Sequence, residues 1–157
     1  MSMNQIRTIE KVVELALQRR DNALAQLAQL QREMQQAQDQ MDQLSNYARE
    51  AQERWHARSL QGVDANLLHH HRQFMFKIEH AMDFQRSVLS SRQEQIDKSQ
   101  AQLHEAERDL AGLRKYHERK QHEMDQRQQR QDQKSMDEMA RNVYLLQLRR
   151  QNEGVRP

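Results

Sequence analysis

Apolar side chains recur every three or four residues from Ile6 to Trp55, through Ile9, Val13, Ala16, Ala23, Leu27, Leu30, Met34, Ala37, Met41, Leu44, Ala48 and Ala51. Only Arg20 interrupts the series. A mean spacing near 3.5 residues keeps one narrow helix face against a partner helix, so the pattern predicts a coiled-coil seam of about seven heptads. A second stripe runs through Met75, Ile78, Met82, Gln85, Leu89, Arg92, Ile96, Ser99, Leu103, Ala106, Leu110, Leu113, His117, Lys120 and Met124. It has more polar interruptions, and it stops: residues 125–134 contain no apolar side chain.

The break between the stripes is Ser59-Leu60-Gln61-Gly62-Val63-Asp64. Gly62 can take the left-handed conformation that ends a helix, and Asp64 can cap the next one from its carboxylate. The expected elements are a helix over 4–58, a turn over 59–64, a helix over 65–150 and a tail over 151–157, all in one elongated domain spanning 1–157. Gly112 falls inside the second stripe, as a solvent-face or close-contact glycine. If the chain doubles back at Gly62, residues whose numbers sum to about 124–126 lie opposite each other. Ile6 then faces residue 119, and the first helix runs out where the second stripe ends. A parallel homodimer gives no reason for that coincidence. The predicted fold is therefore all-α: a long antiparallel two-helix coiled-coil hairpin whose C-terminal helix extends past the paired region. Arms of about 55 residues would be on the order of 80 Å long.

Composition narrows the picture further. Of 157 residues, 36% are hydrophobic and 31% charged, and there are three Gly and one Pro. That suffices for a seam but not for the wide apolar faces of a compact domain. The net charge of +2 comes from 25 basic and 23 acidic residues, so the whole chain is no polyanion binder. Cysteine is absent, which excludes disulfides and thiolate metal sites. The first residues lack the layout of a signal peptide, and no run approaches the roughly 20 apolar residues of a membrane span. The expectation is a soluble chain made in the cytosol, and a monomer in isolation.

Candidate chemistry is sparse. His69, His70 and His71 are consecutive, so on a helix they point about 100° apart and cannot converge on one ion. They read as surface histidines near a turn. Nearly all carboxylates sit three or four residues from Lys or Arg, as on exposed helix faces. Three glycines exclude a phosphate-binding loop, and the basic residues are too mixed with acids for a nucleic-acid face. No catalysis, cofactor or metal is expected.

Two apolar surfaces exceed what one seam uses. Near the bend, Phe74, Met75, Phe76, Ile78, Ala81, Met82, Phe84, Val88 and Leu89 cover more than a seam's width, with Gln40 and Tyr47 opposite. Aromatic anchors favour an interface, and a locally thicker core explains the pattern equally well. Near the end, Met136, Met139, Ala140, Val143, Tyr144, Leu146 and Leu148 form a helical face next to Arg141, Arg149 and Arg150. Such a face marks a docking helix, or else a helix that folds back or frays.

Three segments resemble the FliJ family of flagellar type III export proteins, and the resemblance covers almost the whole chain. They are Gln40-Met41-Asp42-Gln43-Leu44-Ser45-Asn46-Tyr47; Gly62 followed by Phe74, Ile78, Ala81 and Met82; and Asp132-Gln133-Lys134-Ser135-Met136-Asp137-Glu138-Met139-Ala140. The last is the most specific. The resemblance implies a non-enzymatic cytoplasmic protein, peripheral at the inner membrane through the export apparatus. It implies a shape similar to a rotary-ATPase stalk. The implied partners are the hexameric export ATPase, the cytoplasmic domain of the export gate protein, and empty export chaperones. The family's gate-binding patch maps onto Gln40, Leu44, Tyr47, Phe74, Ile78, Ala81 and Gln85. The face carrying Met136, Met139, Ala140, Val143, Tyr144 and Leu146 falls on the ATPase side. The rival to this reading is a generic structural or tethering coiled coil that acts through self-assembly.

Overall fold

The computed structural model describes residues 3–155 and is all-α: α1 spans Met3–Ser59 and α2 spans Ala65–Val155, packed antiparallel as a two-helix coiled-coil hairpin. No strand occurs among the described residues. The bend is built as its residue types require. Gly62 has φ of +91°, where a side chain would be strained, and its amide donates to the Ser59 carbonyl at 3.2 Å. Asp64 Oδ1 accepts from the Leu67 amide at 2.8 Å, which satisfies one of the orphan donors at the start of α2. Met1, Ser2 and the last two residues of the expected tail lie outside the described residues. The rest of that tail continues α2 as far as Val155, because Arg149 to Glu153 contain no helix breaker.

The contacts gather into two units. In the first, Gln18–Arg108, Leu27, Ile96 and Leu103 form the buried cluster, surrounded by Ala23, Leu30 and Met34. Two polar pairs fix the register: Arg92 Nη1 lies 3.2 Å from Glu33 Oε2, and Gln85 Nε2 lies 3.3 Å from Gln40 Oε1. Both obey the expected 124–126 pairing. Arg20 enters the seam with its stem while its Nε reaches Asp21 at 2.8 Å, so the one break in the first stripe keeps its charge paired.

In the second unit, residues 3–17 pair with the stretch of α2 that begins at Asp109. Ile6, Ala16 and Leu110 are buried, and His117 Nε2 lies 3.5 Å from Glu10 Oε1. Every described side chain after Met124 is exposed, through Gly154. Gly112 is on the solvent side: a methyl group there would meet nothing within 4 Å.

Candidate functional site

The first surface lies in the unit Gln18–Arg108. Residues seven apart on a coiled-coil helix repeat the same position relative to the seam. Gln40, Tyr47 and Arg54 form one such row on α1; Phe74, Ala81 and Val88 form another on α2. A cleft lined by both Arg54 and Phe74 shows that the two rows border each other. Tyr47 is 59% exposed and Phe74 47%, while Leu44 and Ala81 are half-buried at the edge of the seam. So Gln40, Leu44, Tyr47, Phe74 and Ala81 share one side of this unit.

Ile78 and Gln85 are placed differently. Both are only 8% exposed and face α1. Gln85 Nε2 donates to the Ala37 carbonyl at 2.8 Å as well as to Gln40, so it reaches the outer surface only through Gln40. The three phenylalanines also do not act together. Phe76 turns onto His80 of its own helix, with ring centroids 6.4 Å apart, and stands off the Phe74 row. They lie within one short stretch of the chain, and the turn of the helix separates them.

The histidine run behaves as its geometry requires. The His69 and His70 rings are 6.3 Å apart and tilted by 52°, while His71 leaves them to stack on Trp55 at 4.2 Å. Among the described residues no three His, Asp or Glu side chains converge as metal ligands.

The second surface lies on α2 after Met124. Met136, Met139, Ala140, Val143, Tyr144 and Leu146 are all exposed. Leu145 and Leu148 are exposed too, and Leu145 escapes a reading that follows one stripe. Successive helix positions differ by about 100°, so Val143, Tyr144, Leu145 and Leu146 point to four different sides, and Leu148 fills part of the remainder. Their exposure runs from 38% at Leu148 to 61% at Tyr144. For more than one turn this helix has an apolar side chain in every direction. A helix apolar all round is one that becomes enclosed. Between Met139 and Asn152 the only charged side chains are Arg141, Arg149 and Arg150.

No helix among the described residues is long and apolar enough to cross a membrane. The family model of the flagellar FliJ protein matches residues 5–149, which takes in both helices, the bend and both surfaces. No curated protein matches the chain.

Proposed function

The chain belongs to the flagellar FliJ family and is a component of the flagellar export apparatus, and from that premise we propose that it links the hexameric export ATPase to the cytoplasmic domain of the export gate. On this reading it works without catalysis, in the cytoplasm at the inner membrane. The terminal part of α2 is held by the ATPase ring, and the Gln40, Tyr47 and Phe74 side meets the gate.

The observation that carries the reading is the apolar girdle at Val143 to Leu148. A flat partner would cover one side of this helix and leave the others wet. The pore of a ring covers all of them at once. Enclosing five half-exposed apolar side chains contributes on the order of 5 kcal/mol before the cost of association. Arg141, Arg149 and Arg150 then face the wall of the ring, where carboxylates would complement them.

On the gate side, Tyr47 and Phe74 supply aromatic area that stays exposed while the seam beneath them is filled. Ile78 and Gln85 belong to the support of that patch. Gln85 holds Gln40 in place, and Ile78 fills the seam under Ala81 and Tyr47.

The test is the double substitution Val143→Asp with Leu145→Asp, measured by binding to the assembled ATPase hexamer. The expected result is a loss of more than about tenfold in affinity, equivalent to roughly 1.4 kcal/mol, with helicity retained. Unchanged affinity with a folded variant would refute capture of this helix by the ring.

A further inference from the structure

The bend end of the unit Gln18–Arg108 carries a cleft distinct in chemistry from the gate patch, with which it shares only Phe74. It is lined by Ala51, Arg54, Trp55, Arg58, His71 and Phe74. The Trp55 and His71 rings lie parallel within 5° and close the cleft between the two helices. Arg54 and Arg58, one turn apart on α1, make a cationic wall. Half-exposed Phe74 makes an apolar wall on α2.

The charge around this cleft is one-sided. From Ala51 to Ile78 the chain has Arg54, Arg58, Arg72 and Lys77 against two carboxylates, Glu53 and Asp64, and Glu53 lies 4.0 Å from Arg49. Asp64 already accepts the Leu67 amide as the cap of α2. Arg54 reaches Glu50 at 3.8 Å, a long and exposed pair, and the Arg58 guanidinium forms no ion pair among the described residues. The cleft therefore presents Arg58 without an acid of its own and Arg54 only loosely held by Glu50, both beside a hydrophobic ring.

Size decides which ligand suits it. Its volume is about 240 Å³, below the roughly 300–1,000 Å³ of small-molecule sites. The cleft is shallow and open to solvent, so it has room for one or two side chains of a larger partner and does not enclose a whole small molecule. We propose that this cleft receives an acidic peptide segment carrying a large apolar side chain, which packs on Phe74 while neighbouring carboxylates engage Arg54 and Arg58. Arginine suits this role because its planar fork pairs with a carboxylate through two parallel hydrogen bonds.

Trp55 is the only tryptophan in the chain, so its fluorescence reports on the cleft directly. The experiment titrates the full chain with the synthetic peptide acetyl-Glu-Asp-Leu-Phe-Asp-Glu-amide, and with a control in which Gln and Asn replace the acids. A saturable change in Trp55 emission is expected with the acidic peptide alone, weakening at high salt. Arg58→Ala should weaken it about threefold to fivefold, as for an exposed charge pair, with Arg58→Lys recovering part of the loss. Arg54→Ala provides a second reading should Arg58→Ala disturb the bend, with circular dichroism as the control. Tyr47→Ala lies outside the cleft and leaves peptide binding intact, so a failure here is separable from a failure of gate binding. Equal response to acidic and neutral peptides overturns the proposal. So does indifference to both arginine substitutions. A response to phosphatidylglycerol vesicles or single-stranded oligonucleotide without one to the peptide overturns it as well, and assigns the cleft to that anion instead.

Discussion

Residues 78–110 and residues 136–148 of α2 carry apolar side chains at the same helical spacing, yet the first stretch is covered and the second is bare. In the first, Ile78, Ile96, Leu103 and Leu110 are buried against α1. The polar members of that stripe are accommodated one by one, Gln85 on the Ala37 carbonyl and Arg92 on Glu33. In the second, every described side chain is exposed. The spacing states that a helix has an apolar face. Only the number of residues left on the other helix states whether the chain itself can cover it. The two stretches differ in width as well: one is a seam, and the other becomes a full girdle at Val143 to Leu148.

That contrast is open to attack by substitution. The largest effect on stability belongs to the seam. Leu103→Ala or Ile96→Ala should cost about 2–4 kcal/mol, because the lost side chain leaves a void in the cluster around Leu27. Thermal melting should fall by several degrees, whereas Leu145→Ala in the bare stretch should leave it within about 0.5 kcal/mol of the parent. Equal losses at Leu103 and Leu145 would mean that the terminal face is covered within the chain after all.

A smaller effect separates surface from support near the bend. Tyr47→Ala and Phe74→Ala should each change stability by less than about 1 kcal/mol, since both side chains are about half-exposed. Binding to the cytoplasmic domain of the export gate should nonetheless fall severalfold, by calorimetry or surface plasmon resonance. Ile78→Ala should show the opposite balance, losing stability first. Gate binding that survives both aromatic substitutions would remove the patch from the account.

Much of this fold can be read from the residues alone. Every member of both stripes, polar interruptions included, is buried or half-buried, and Gly62 and Asp64 act as their chemistry requires. The reason is that a two-helix seam is nearly one-dimensional: period and register determine most of it. What escaped was whatever depends on the direction of a side chain off that line. Ile78 and Gln85 are buried as members of the second stripe, and their place in the gate patch came from the family resemblance, which periodicity does not supply. Leu145 was passed over because it lies off the stripe. The stack of Trp55 on His71 joins positions that no periodicity connects, and the cleft beside it exists only once the two helices are side by side.

The central claim is that the apolar girdle on α2 is bare in the free chain and enclosed by a partner in the assembled machine. Amide hydrogen exchange, followed peptide by peptide with and without the export ATPase hexamer, addresses it most directly. In the free chain, amides around Val143–Leu148 should exchange much faster than those around Ile96–Leu103, and the hexamer should slow them by an order of magnitude or more. Protection of Val143–Leu148 that is already high without the hexamer, or that does not rise on adding it, would contradict the account.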